Sequence, residues 1–352
     1  MTGIPIRNLY YLLGYAWDLL EEAETWQVEL ENLPTGLDLL TRLILRGTQR
    51  LLRRGIDHGY MAQADVLTTI RGRIDFTASA RRMLMERAKV QCDFEEFLPD
   101  LLHNRILKST LRNLQAYPEV AQRQRSEVHV LLRRMEGITP LKIRSTHFGS
   151  VRLHRNNAHY ALLMHLCRLV NANLLVCEET GKTTFKNFMR EKGQMAKLFQ
   201  SFVYNFYRKE TQFVVSQEVP IDWDSQEPNP LLPSMKADLI LKRKDRTIVV
   251  ECKFYEEALQ THYLGTSPKL HSTHLYQLST YLQHLQPGLD GTPPEGLLIY
   301  PATGIQFSTD LVLAGKRIRA CTLDLMEPWN LIAEQMHRFL VQGHSYPHIG
   351  YS

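Results

Sequence analysis

Asp238, Glu251 and Lys253 are the residues of this 352-residue chain whose types and spacing could do chemistry. They lie within Met235–Tyr255, MKADLILKRKDRTIVVECKFY. Ala237–Lys242 and Thr247–Phe254 are rich in Leu, Ile and Val, as strands are, and the polar Arg243-Lys244-Asp245-Arg246 between them suits a loop. Pairing Lys242 with Thr247 sets Asp238 directly across from Glu251, with Cβ atoms roughly 5 Å apart. Like charges so placed repel, and a divalent cation held between them turns the repulsion into coordination, because hard cations take carboxylate oxygens. Lys253 falls on the same face as Glu251 by the two-residue strand period. Two metal-binding carboxylates beside one ammonium make a phosphodiester hydrolysis site. The plainer alternative is a surface hairpin with ordinary ion pairs. Against it, Glu251 is the only acidic residue followed two positions later by Lys. It also ends the apolar run Ile248-Val249-Val250, where an unpaired charge would be costly.

The elements that must position this hairpin read as α-β-β-β-α-β-β-α over the C-terminal half. A helix is predicted at Met195–Arg208, a strand at Thr211–Ile221, the hairpin, and a helix at Thr273–Leu285. Strands at Gly296–Tyr300 and Arg319–Leu325 and a closing helix at Pro328–Val341 follow. Strands alternating with helices predict a mixed sheet covered on both faces. The N-terminal half reads as helical with a β insertion. Helices are expected at Asn8–Glu24, Leu37–Arg54, Leu101–Ala116 and Tyr160–Val176, and strand character at Gly59–Phe76. Arg42, Arg46, Arg50 and Arg54 form a one-turn stripe that reads first as a solvated face. Arg144–His159 is basic and irregular and suits phosphate contacts. The boundary is expected near Cys177–Phe188, giving domains 1–180 and 186–352. Gly181-Lys182-Thr183 imitates the end of a phosphate-binding loop. Val176 stands where the first glycine is needed, and Glu178 and Glu179 would repel phosphate, so a linker turn is the better reading.

Composition narrows the class. Hydrophobic residues make up 44% and charged residues 22%, as in a soluble globular protein. The five cysteines contain no CxxC pair, which predicts reduced thiols in a cytoplasmic protein and argues against a disulfide framework or zinc ribbon. Arg7 and Asn8 interrupt the opening apolar segment, so it does not read as a signal peptide. His165, Arg168 and Asn171 break the most apolar helix, so no membrane span is expected. Residues 1–185 hold 25 Lys+Arg against 20 Asp+Glu, and residues 186–352 hold 17 of each. The cationic excess is therefore N-terminal and almost all arginine, which suits phosphate or carboxylate.

A helix, then strands carrying Asp238 and Glu251-x-Lys253, then a second helix, resembles the PD-(D/E)xK restriction-endonuclease-like fold, with Ala237 where that motif has proline. Gln277 and Tyr281, one helical turn apart in LYQLSTYL, are similar to the extra motif of RecB-like members. More specifically, Ile4–Trp17 (IPIRNLYYLLGYAW), Ile70–Phe76 (IRGRIDF), Asn104–Leu111 (NRILKSTL), His274–Leu282 (HLYQLSTYL) and Gly296–Pro301 (GLLIYP) resemble the McrC family collinearly. McrC is the nuclease subunit of McrBC 5-methylcytosine-dependent restriction, an antiviral defence.

The resemblance implies an α/β chain, α+β in its N-terminal half, that is a Mg²⁺- or Mn²⁺-dependent endodeoxyribonuclease. Asp238, Glu251 and the Cys252 backbone carbonyl would hold the metal. Lys253 would orient the attacking water and offset charge on the phosphorane. Gln200 stands where many relatives place a further acid, which leaves two metal carboxylates. The N-terminal domain would dock on a hexameric McrB-like AAA+ ring and stimulate its GTP hydrolysis, with GTP bound by that partner and not by this chain. DNA containing methylated cytosine would be the substrate, and double-strand cutting would require two copies of the nuclease domain to pair. Three other readings stand beside this one. They are a stand-alone RecB-like nuclease, a zinc hydrolase using His262, His271 and His274, and a non-catalytic adaptor that stimulates a GTPase.

Overall fold

The computed structural model describes residues 4–21, 33, 35–176, 183–185, 192–223, 231–254, 259–260, 268–287, 291–302 and 306–341. The chain forms two compact units. A sheet unit combines the first 24 residues and 29–36 with 186–352, and a helical unit holds 25–28 and 37–185. The Gly181-Lys182 pair, Cys177, His262 and most of the expected boundary lie outside the described residues.

In the sheet unit, α8 (Lys192–Glu210) is followed by β6 (Val214–Ile221), β7 (Met235–Arg243) and β8 (Arg246–Cys252). Then come the paired two-residue strands β9 (Leu259–Gln260) and β10 (Lys269–Leu270), α9 (Ser272–His284), β11 (Glu295–Pro301), β12 (Ser308–Leu313), β13 (Lys316–Leu323) and α10 (Trp329–Phe339). Six strands align in the order β12-β13-β11-β8-β7-β6. β11 runs parallel to β8 and β13, and the other neighbours are antiparallel. This is the mixed sheet expected. Ile248, Val249, Val250 and Glu251 are all buried. Because successive strand residues point to opposite faces, both faces at β8 are covered. Leu278, Tyr281 and Leu282 of α9 pack against Ala237, Ile240, Val249, Leu298 and Ala320. β12 has no counterpart in the predicted order: it is an edge strand of half-buried residues without the apolar run that marks its neighbours.

The structure corrects two expectations about the N-terminus. The helix expected over Asn8–Glu24 stops as α1 (Ile6–Ala16). Asp18 takes a left-handed φ of 58° and its carboxylate meets Arg208 and Lys209, the latter at 3.0 Å. Gly14 permits the turn, since a Cβ there would lie 2.8 Å from Leu20 Cδ1. Second, α1 belongs to the sheet unit and not to the expected domain 1–180. Asn8 Nδ2 donates to the carbonyls of Leu325 and Glu327 at 2.8 Å each, and Tyr15 donates to Glu210 Oε1 at 2.7 Å. The Tyr11 and Tyr15 rings stack on Trp329 at 4.6 and 5.4 Å. An aromatic stripe of this kind must be buried against another element, and α8 and α10 supply it.

The helical unit contains α2 (Gly36–Arg54), β1 (Gly59–Leu67), β2 (Arg73–Ile74), α3 (Phe76–Arg81), β3 (Val90–Leu98), α4 (Leu102–Ala116), α5 (Gln122–Arg133), α6 (Ser145–Ser150) and α7 (Ala161–Asn173), then the paired strands β4 (Leu174–Val176) and β5 (Thr183–Phe185). Its sheet, β1-β3-β2, is antiparallel throughout. Sequence reading misses β3 because VQCDFEEFL interrupts its apolar residues with acids. The arginine stripe of α2 is not one solvated face. Arg42 is half-buried on Glu127 of α5 at 3.2 Å, Arg46 is half-buried, and Arg50 and Arg54 are exposed.

Candidate active site

The hairpin adopts the predicted register, with Lys242 opposite Thr247, and the ladder extends one pair further, to Arg243 and Arg246. The turn therefore has two residues rather than four, and Arg243 is tied to the Asp245 carboxylate at 2.8 and 3.0 Å. At the other end the ladder stops at Leu239 and Val250, one position short of Asp238 and Glu251. Side chains replace it there. The Asp238 N–H donates to Glu251 Oε1 at 3.1 Å, and the Cys252 N–H donates to Asp238 Oδ2 at 2.9 Å. On the β6 side the register is also interrupted at Asp238, between the pairs Gln217–Leu239 and Val219–Ala237. Glu218, opposite it, has a left-handed φ of 51°.

The structure brings all six predicted side chains together. Lys253 Nζ donates to Glu251 Oε2 at 2.7 Å and to Gln277 Oε1 at 2.8 Å. Gln277 Nε2 donates to Tyr281 OH at 2.8 Å. An ammonium has no acceptor, so the amide oxygen must face Lys253 and its nitrogen must face Tyr281. Gln200 Nε2, from α8, reaches Asp238 Oδ1 at 3.3 Å. Two helices and two strands thus converge on a site at the end of β8. Parallel pairing with β11 holds that end in place, and the Lys253 N–H continues the ladder by donating to Ile299 O at 2.9 Å.

Glu251 is wholly buried. Burial, then the charge of Asp238, hold its carboxyl above the usual carboxylate range. Asp238 is raised chiefly by burial, with Glu218 adding to it. One ammonium faces two carboxylates in a poorly solvated place, and the pair is short of positive charge. The donor atoms are hard oxygens, which fit a Mg²⁺- or Mn²⁺-type cation. Among the described residues no group of three His, Cys, Asp or Glu is arranged to hold a metal, and Gln200 supplies no third acid beside Asp238 and Glu251.

Sequence reading did not find Glu218 or Lys236, which pair at 3.2 Å beside Asp238. Their approach depends on β6 lying next to β7, for which local sequence carries no signal. His274, expected from sequence only as a ligand in the zinc alternative, is buried and shares a 2.9 Å hydrogen bond through Nδ1 with Tyr300 OH. Burial, then Lys253 and His271, lower His274 to about 4, so it is neutral at pH 7. The His271 and His274 rings lie 4.9 Å apart.

A mixed sheet flanked by helices, with two opposed acids and a lysine at the end of a buried hairpin, defines a PD-(D/E)xK restriction-endonuclease-like fold. Residues 7–301 match the family model described as McrBC 5-methylcytosine restriction system component, and the chain belongs to that family. It is 31% identical over 339 residues to the type IV methyl-directed restriction enzyme EcoKMcrBC of Escherichia coli K12, covering 95% of this chain and 96% of that protein. This bears out the kinship with McrC expected from Ile4–Trp17 and the later motifs. Among solved structures, one of Thermococcus gammatolerans McrB AAA+ hexamers with bound McrC matches with a TM-score of 0.55 at 18% identity, covering 94% of this chain and 75% of that one. A second T. gammatolerans McrBC structure matches with a TM-score of 0.43 at 20% identity, covering 59% of each chain. No helix among the described residues is long and apolar enough to cross a membrane.

Proposed function

We propose that this chain is the DNA-cleaving subunit of a GTP-dependent, methylcytosine-directed restriction complex. The observation that carries the reading is the unbroken hydrogen-bonded series Tyr281–Gln277–Lys253–Glu251–Asp238–Gln200. Such a series serves a charged site better than a merely structural hairpin, because burying two repelling carboxylates costs stability unless a cation offsets them. Asp238 and Glu251, with the Cys252 carbonyl, are the residues we assign to hold Mg²⁺ or Mn²⁺. When bound, such an ion would act as a Lewis acid toward the scissile phosphate.

The chain's own residues do the rest. Lys253, anchored on Glu251 and Gln277, presents its ammonium where water attacks and where negative charge develops on the phosphoryl oxygens. Gln277 restricts the lysine to that position, and Tyr281 fixes the orientation of Gln277. Gln200 steadies Asp238 without adding charge, so a single metal ion suffices in this scheme. One site per chain cuts one strand, and double-strand cleavage requires two copies to pair.

The helical unit is the part we assign to docking on a McrB-like AAA+ GTPase and to stimulating it. The family, and the McrB-bound McrC of the T. gammatolerans assembly, support docking on such a partner. So do the exposed apolar residues Ile70, Phe76, Met83 and Met85 around β2 and α3. The test is cleavage of methylated and unmethylated plasmid with Mg²⁺, with and without the partner and GTP. Cutting only with partner, GTP and methylation is expected. Cutting by this chain alone regardless of methylation would make it a stand-alone nuclease.

A further inference from the structure

We infer that the helical unit carries a binding site for the phosphate backbone of DNA, separate from the hydrolytic site. The inference rests on the nuclease reading for its choice of DNA as ligand. A cleft of about 660 Å³ opens between α4, α6 and α7 and is lined by Lys142, Arg144, Arg168, Asn113, Asn171 and Phe148, among others. Lys142, Arg144 and Arg168 are exposed, and none of the three forms an ion pair among the described residues. Arg42 of α2, by contrast, is matched by Glu127. The reason is legible in the chain: Gly137–Cys177 contains no Asp or Glu, while it contains Lys142, Arg144, Arg152, Arg155 and Arg168.

Among the amides of the lining, Asn113 keeps a donor for a ligand. Asn171 is locked, its Nδ2 donating to Thr110 Oγ1 and to Cys167 O at 2.7 Å each. Its Oδ1 accepts from Asn113 Nδ2 at 3.0 Å, which leaves the second Asn113 N–H for a ligand. The Arg168 guanidinium lies over the Phe148 ring, 5.5 Å from its centre, so the ring restrains it toward the cleft. Two guanidinium forks, an ammonium and an amide N–H, with no carboxylate, match oxyanions spaced along a backbone. An acidic peptide would meet the same charges, and the nuclease reading favours DNA. Phosphate contacts of this kind add affinity without sequence preference, which suits a chain whose residues 186–352 carry no net charge.

The test uses the full chain in EDTA, with a fluorescein-labelled 30-base-pair duplex read by anisotropy across a salt series. Arg144→Ala/Arg168→Ala is expected to weaken binding about ten-fold or more and to reduce the log K against log salt slope by about 2, one for each lost phosphate contact. Arg144→Lys/Arg168→Lys, which keeps the charge, is expected to retain most of the slope, and circular dichroism melting checks that both variants fold. Unchanged affinity and slope in the folded alanine variant would overturn the proposal. So would wild-type DNA binding together with lost stimulation of the partner GTPase, which would make the cleft a protein interface. If the cleft variant loses DNA binding but the wild type never cuts with partner, GTP and Mg²⁺, the cleft stands and the nuclease reading fails.

Discussion

Two antiparallel strand pairs in this molecule are built alike and used differently. β7–β8 lies inside a six-stranded sheet, and its run Ile248-Val249-Val250-Glu251 is buried on both faces. β1–β3 lies in a three-stranded sheet, and over the first six residues of β1 half-buried and exposed positions alternate. Acids on the two pairs therefore meet opposite fates. Glu96 of β3 is only half-buried and pairs with the exposed Arg71 at 3.3 Å, an interaction that water screens. Glu251 is wholly buried, so its repulsion from Asp238 and its bond to Lys253 act at low dielectric. The same residue type becomes a surface ion pair or a perturbed site according to what covers the strand.

The largest effect expected from this contrast is on cleavage. Asp238→Ala or Lys253→Ala should reduce cutting of methylated plasmid more than about 10³-fold, while partner binding and GTPase stimulation persist. Retained cutting in either variant would remove these residues from the site. Gln277→Ala should lower the rate about 10- to 100-fold by releasing Lys253, and Tyr281→Phe should do less. Equal losses for both would mean that Tyr281 does more than orient Gln277.

Stability sharpens the same comparison. Asp238 and Glu251 have folded-state pKa values above the ordinary carboxylate range. The folded protein therefore holds these protons more tightly. The metal-free chain should be most stable below that raised range and lose stability as pH rises through it. Asp238→Asn should flatten this dependence and raise the melting temperature at pH 7 by about 2–4 °C. Mg²⁺ should stabilise the wild type and not the variant. A melting temperature indifferent to pH and Mg²⁺ would count against the cation site. The smallest effect should come from Glu96→Ala, at most about 0.5 kcal/mol by denaturant melts and without a pH signature near neutrality. A larger loss would mean that the β1–β3 pair is less solvated than its exposure indicates.

Much of the sheet unit was legible because its elements have strong periods. The helices at Met195–Arg208, Thr273–Leu285 and Pro328–Val341 and the β7–β8 register all correspond to observed elements within a few residues. The family resemblance was legible too, since Ile4–Trp17 is distinctive by itself. What that segment does was not legible. It was expected to belong with the first domain, yet α1 packs on α8 and α10. An amphipathic helix states which face is buried but not against what. β3 and β12 were missed because acids or half-buried edge residues blur the two-residue period.

The sequence by itself determined the opposed acids and the lysine two positions on, the helix turn that sets Gln277 beside Tyr281, and the acid-free stretch Gly137–Cys177. These are local facts, set by strand period, helix pitch and composition. Only the tertiary structure decided that the ladder breaks at Asp238, that Glu218 and Lys236 flank it, that Gln200 reaches it from α8, and that α1 belongs with the sheet unit. Each depends on contacts between segments far apart in the chain, where burial and neighbouring charge, rather than local preference, set the outcome.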